Sequence, residues 1–234
     1  YFLWALTQKE LARTLFPVGD LLKPEVRAIA KKAGLPTAEK KDSQGICFLG
    51  DVSLMDFLKN YLPSKRGAVF NIEGKKMGEH EGAHFYTVGQ RHIGVTPHTK
   101  GGAPARHYVV EKDMGTNTVV VAEGSDNPAL YRKELTLTDV NFINPNYLSK
   151  AASSNIFAKA KTWVLTWRHS ERGYWMMPVM ARVRYRQPLA PATLAKQGKQ
   201  YMLTFAESQK FIAPGQSAVM YSRQGELLAG GVIQ

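Results

Sequence analysis

VMARVRYRQ, residues 179–187, alternates apolar and polar positions. Val179, Ala181, Val183 and Tyr185 fall on one parity; Met180, Arg182, Arg184 and Arg186 fall on the other. A period of two is the signature of a half-buried strand, because successive side chains point to opposite faces. As a strand, this stretch predicts one face toward a core and a second face lined by three arginines. Five further segments around it have similar β-type character: LTLTDVNFI (135–143), NIFAKAKTWVL (155–165), QYMLTFAE (200–207), QSAVMYS (216–222) and LLAGGVI (227–233). Six strands at this spacing predict a closed antiparallel barrel or a sandwich.

Upstream, the runs AVFNI, HFYTV, HYVVEK and NTVVVAE alternate with Gly-containing turns and read as a small β-rich domain. The front is helical in pattern. In YFLWALTQKELARTLF, Leu3, Leu6, Leu11 and Leu15 lie near helical spacing, and Pro17 with Gly19 stops the run. Lys23 to Lys32 reads as a second helix, with Pro24 in its first turn and Gly34 at its end. Thr37 to Gln44 reads as a polar loop. Ser53 caps a third helix carrying Leu54, Phe57, Leu58 and Tyr61. The expected class is α+β in three parts: helices over 1–62, a small β-rich central domain over 63–132, and a C-terminal antiparallel β-barrel over 133–234.

The chain has 234 residues, 44% of them hydrophobic, which is enough to bury a sizeable core. No apolar run approaches the roughly 20 residues that span a bilayer, so no membrane partner is expected. A single cysteine excludes an internal disulfide and fits a reducing, cytoplasmic setting. The net charge of +12 favours a polyanionic partner. Trp163, Trp167, Arg168, Arg172, Tyr174 and Trp175 precede the arginine-bearing strand. Such interleaving of guanidinium and aromatic groups suits RNA, whose phosphates pair with arginine forks and whose unpaired bases stack on flat side chains.

Three motifs invite chemistry. HEGAH (80–84) matches the H-E-x-x-H pattern of zinc hydrolases, but that pattern works only on a helix, and Gly78, Gly82 and the following β-type run argue for a polar turn. No metal site is assigned. YTVGQRHIG (86–94) carries two glycines around Gln90, Arg91 and His92. It reads equally as a phosphate cradle or as a tight turn, and it lacks the P-loop ending. EKKDSQGICFLGD (39–51) holds Cys47, either a small buried hydrophobe or a reactive thiol. Gly45 frees the backbone, Asp42 and Ser43 favour turns, and Lys40 and Lys41 are cations that would raise the thiolate fraction if they faced the sulfur.

In this order along the chain, KKDSQGICFLG, GEHEGAHFYTVGQRHIG, RVRYRQ and PGQSAV resemble the tRNA-specific 2-thiouridylases of the MnmA type, as does the opening YFLWALTQKELARTLFPVGDLLKPEVRAIAKKAGLP. The resemblance implies a tRNA-modifying sulfurtransferase that replaces the 2-oxygen of the wobble uridine, U34, by sulfur. It implies ATP, with Mg²⁺, to adenylate that oxygen, and a sulfur-carrier protein or cysteine desulfurase as donor. By the same resemblance Cys47 is the persulfide carrier, a second cysteine forms a disulfide with it, and Arg184, Tyr185 and Gln216 contact tRNA. The family's Ser-Gly-Gly nucleotide loop and its other cysteine do not occur in these 234 residues. With Tyr1 as first residue, the expectation is a C-terminal portion that lacks most of the N-terminal ATP-binding domain and is inactive alone. The alternative is a non-catalytic RNA-binding module.

Arg184 and Tyr185 are neighbours, and neighbours on a regular strand face opposite ways. Either the strand ends or bulges there, or one contact is made by the backbone, and Arg184 is the side-chain contact expected.

Overall fold

The computed structural model describes residues 1–41, 54–91, 106–145 and 175–234, with side chains 54–56 left aside. It contains two compact units, Tyr1–Lys9 with Lys65–Gln234, and Glu10–Ser64.

In the larger unit, β1 (Gly67–Asn71), β2 (Lys76–His80), β3 (His107–Asp113) and β4 (Thr118–Glu123) form a four-stranded sheet in the order β2-β1-β4-β3. The β1–β4 pair is parallel; the other two are antiparallel. Val69, Val109, Val119 and Val121 are its buried centre. Their β-branched side chains suit a pleated, packed surface.

The remaining strands are β5 (Tyr131–Phe142), β6 (Trp175–Arg182), β7 (Ala190–Gln197), β8 (Gln200–Lys210), β9 (Ser217–Tyr221) and β10 (Leu227–Ile233). They close into a barrel in the order β10-β5-β8-β7-β6-β9. Closure removes the exposed edges that an open sheet would present. Inward residues alternate along each strand: Leu135 and Leu137 from β5, Met177, Val179 and Ala181 from β6, Leu203 and Phe205 from β8. Each large side chain buried this way contributes about 1.5–3 kcal/mol.

The expected α+β class with a closed barrel is what forms. The six strands are not the six expected. Residues 155–165 lie outside the described residues, and β7 has no counterpart in the sequence reading. Its sequence, APATLAKQ, carries Pro191 and few strand-favouring residues. Pairing with β6 on one side and β8 on the other overrides that local preference.

The opening residues depart most from expectation. No continuous helix covers residues 1–16. Phe2–Ala5 makes one 3₁₀ turn, Leu6 is extended, and α1 (Gln8–Leu11) is a single turn. Partners on the barrel take over the groups a helix would use. The Asn141 side chain donates to the carbonyls of Trp4 (2.8 Å) and Leu6 (2.9 Å). Trp4 lies against Gly230, where a Cβ would meet its indole at about 2.5 Å, so only glycine allows this approach.

In the smaller unit, α2 (Lys23–Lys32) runs as its sequence predicts. The Glu25 carboxylate accepts from the Leu22 N–H at the start. Leu35 N–H donates to Ala30 O and Gly34 N–H to Lys31 O at the end. That double bond set, around Gly34 at φ +67°, is the Schellman stop. Arg27 reaches the carbonyls of Ala38 and Lys40 and holds the polar loop after the helix. The third helix, α3 (Leu54–Lys59), forms where it is expected, and the Phe57 and Tyr61 rings meet at 5.0 Å. No helix among the described residues is long and apolar enough to cross a membrane.

Candidate nucleic-acid interface

The arginine-rich stretch lies where β6 ends. Val179, Ala181 and Val183 are buried as the alternation requires, yet the strand stops at Arg182, and residues 183–187 turn. The expected single face of three arginines therefore does not form; Arg182 alone is on the strand. The cause is local. The Gln187 side chain accepts from the Val183 N–H, and the Gln187 N–H donates to Arg184 O. Gln187 is itself held by Gln209 at 2.6 Å. The last β6–β7 pair is Ala181 with Ala190, so the residues between them form the hairpin connection.

The turn separates the arginines by role. Arg182 donates to Tyr185 O at 2.9 Å and lies over the Tyr221 ring at 4.9 Å, which fixes the turn against β9. Arg184 is half-buried. Its guanidinium lies 5.2 Å from the Phe211 ring centre and donates to Val88 O at 3.3 Å, joining barrel to small sheet. Burial pushes its pKa down from the ordinary arginine value, with the Tyr1 phenol opposing. Tyr185 and Arg186 are exposed, Tyr185 by 53%. Of the adjacent pair, Tyr185 is the side chain open to solvent. The strand end foreseen as one way to free both neighbours is present.

Gln216 lies near this turn. Arg182 pairs in register with Val219 of β9, and the Tyr1 hydroxyl sits 2.7 Å from Ser217 O and 3.3 Å from Val183 O. Tyr1 thus ties the Arg184–Tyr185 turn to the Gln216–Ser217 segment. Burial raises the Tyr1 phenol pKa, so it stays a neutral donor. The Trp4 indole donates to Ser217 Oγ at 3.0 Å. Gln216 Oε1 and the Tyr221 hydroxyl are buried with no hydrogen-bond partner among the described residues. Unmatched buried polar atoms cost about 1–3 kcal/mol each.

Sequence reasoning missed Tyr1, Phe2 and Tyr221. The first two read as helix interior, and nothing in their spacing announces a contact with a residue about 180 positions away. Tyr221 was seen only as part of a strand.

The other motifs fall elsewhere. His80 closes β2, and Ala83–Phe85 is a 3₁₀ turn, so HEGAH has no helix to align its histidines. His80 Nδ1 accepts from the Gly82 N–H at 2.9 Å, a turn contact. Burial lowers the His80 pKa below the usual 6.5. Among the described residues no group of three His, Cys, Asp or Glu side chains could hold a metal ion. Of the 86–94 motif, residues 86–91 are described, and Gly89 N–H donates to Val109 O beside β3. His92 and Cys47 lie outside the described residues.

Three family models match the chain in order. They are a tRNA methyl transferase HUP domain over residues 1–51, a tRNA methyl transferase PRC-barrel domain over 55–123, and an aminomethyltransferase beta-barrel domain over 153–233. All of the chain aligns with curated relatives described as tRNA-specific 2-thiouridylases. That of Pseudomonas savastanoi pv. phaseolicola is 40% identical and is covered over 55% of its length. That of Pseudomonas putida strain W619 is 41% identical, with 56% covered. That of Pseudomonas fluorescens strain SBW25 is 39% identical, with 56% covered. The chain spans about 55% of the length of these relatives.

Proposed function

Because this chain belongs to the family of the tRNA-specific 2-thiouridylases, we propose that it serves in forming 2-thiouridine at the wobble position, U34, of tRNA. The observation that carries this reading is the alignment of every part of the chain with enzymes of that description at about 40% identity. In this reading Cys47 carries the transferred sulfur as a persulfide. ATP is a substrate: the uridine 2-oxygen attacks its α-phosphate, pyrophosphate leaves, and the adenylated oxygen later departs with AMP as sulfur bonds to C2. A sulfur-carrier protein or cysteine desulfurase loads Cys47. A second cysteine, not among these 234 residues, takes the Cys47 sulfur into a disulfide and frees the thiolated base.

The residues present fit the tRNA side of this chemistry better than the nucleotide side. A turn carrying Tyr185 and Arg186 outward offers a stacking group and a cation, and Gln216, whose carbonyl oxygen is buried and unpaired among the described residues, lies near it. Arg184 acts partly through position, since its guanidinium spans to Val88. ATP and its Mg²⁺ are proposed to bind mainly to residues outside this chain, so the 234 residues alone bind tRNA without turnover. A cytoplasmic setting follows from the same reading.

The test is thiouridine formation by the full-length enzyme with ATP, unthiolated tRNA and a sulfur donor. Cys47→Ser abolishes product and leaves tRNA affinity within twofold or so. Product formation by Cys47→Ser at the parent rate overturns the persulfide role.

A further inference from the structure

Phe2 and Tyr185 are 73% and 53% exposed, and their ring centres are 5.0 Å apart at 40°. Two large rings held together in water leave an apolar surface unburied. Neither ring is loosely held. Tyr185 sits on a turn whose carbonyl is taken by Arg182 and whose base is closed by Gln187. Phe2 follows Tyr1, whose hydroxyl is anchored at Ser217 and whose ring meets Phe2 edge-on at 5.3 Å. The Tyr185 turn is therefore set by bonds within the protein, which lowers the cost of holding that ring against a ligand.

Charge identifies the ligand class. Arg182, Arg184 and Arg186 lie within three residues of Tyr185, and the chain carries +12 overall. Arg182 and Arg184 are engaged with Tyr221 and Phe211, whereas Arg186 is exposed beside the pair. An aromatic face beside an exposed guanidinium is the combination that stacks a base and pairs its phosphate. An apolar protein partner would use the rings and be opposed by the charge.

We propose that Phe2 and Tyr185 form one platform on which an unpaired RNA base stacks, with Phe2 a stacking contact to which the resemblance assigns no role. The proposal rests on the tRNA reading above and deepens it, by assigning base stacking to this end of the barrel rather than phosphate contact alone.

The experiment measures binding of the full chain to a labelled RNA stem-loop with an unpaired loop, across a salt series. Phe2→Ala weakens binding about 5- to 150-fold, the range for loss of one base stack, and leaves the salt slope unchanged. Phe2→Tyr retains affinity; Phe2→Leu does not. Arg186→Ala lowers the log–log salt slope by roughly 0.7, the effect of one phosphate contact. In wild-type protein, an abasic residue at one loop position reproduces the loss, and it has no further effect in Phe2→Ala. Thermal melting of Phe2→Ala matches the parent, because the side chain is mostly in solvent.

Parent-like binding by Phe2→Ala or Phe2→Leu, with the salt slope intact, overturns the platform and leaves the tRNA reading standing. Absence of salt-sensitive binding in the wild type overturns both. A change in molecular mass on Phe2→Ala, read by sedimentation, assigns the pair to contacts between copies and also overturns the platform.

Discussion

The barrel and the helical segment use the same kinds of residues to opposite effect. In the barrel, sixteen buried side chains among the described residues make one cluster, with Phe205, Leu194 and Leu203 almost fully enclosed. In the Glu10–Ser64 unit, α2 has caps at both ends and an apolar stripe, yet none of its residues is buried. Leu15, Leu22, Ile29 and Leu35 are all exposed. Local order and core burial are thus separable: a helix can be well specified by its ends while its apolar face contributes little to stability. The barrel is the reverse case, since β7 is poorly specified locally and held by two neighbours.

The largest expected effect tests that difference directly. Phe205→Ala removes a core ring and costs about 3–5 kcal/mol in denaturant unfolding. Ile29→Ala, at a position 55% exposed, changes stability by about 0.5 kcal/mol or less. Comparable losses at the two sites would break the comparison.

A middle-sized effect concerns the residues that belong with the barrel though they begin the chain. Asn141→Ala removes two hydrogen bonds, to Trp4 O and Leu6 O, and costs about 1–2 kcal/mol. The Trp4 fluorescence shifts to the red, and exchange at the amides of residues 3–6 speeds up while α2 amides are unchanged. An equal response in α2 would sink the assignment of these hydrogen bonds to residues 3–6.

The smallest effect is a pH dependence confined to the sheet-and-barrel unit. All six histidines lie outside residues 10–64. His80 is buried, and desolvation holds its folded pKa below the unfolded 6.5; the nearby His84 adds to this and the Asn117 backbone opposes it. Between those two values the unfolded chain binds the proton more readily, so stability falls as pH drops through 6.5 and is fully present above it. His80→Gln flattens that slope in urea titrations at pH 5 to 7.5. An unchanged slope would assign the effect to other histidines.

How much was legible can be argued from single residues. Lys23–Lys32 was readable to the residue because Pro24 and Gly34 act through their own backbone geometry. The alternation in VMARVRYRQ was readable through Val183 and then failed, because Gln187 folds back onto the Val183 N–H. The candidate site of Arg184, Tyr185 and Gln216 was legible only through the family resemblance, which proposes them as tRNA contacts. Its geometry was not, because Arg184 turns toward Val88 and Tyr185 toward solvent for reasons set by Phe211, Tyr221 and Tyr1.

The sequence by itself determined the α+β class, the presence of a closed barrel, the second helix with its ends, and the family to which the chain belongs. Those features depend on spacing and residue type within short windows, where side-chain periodicity and backbone preference act directly. Only the tertiary structure decided that Tyr1–Leu6 abandons a helix for the barrel, that β7 exists, and that Tyr185 is presented with Phe2 beside it. Each of those outcomes depends on partners distant in sequence, such as Asn141 for Trp4 and Ser217 for Tyr1. A hydrogen bond or ring contact across more than a hundred residues leaves no periodic trace near either end.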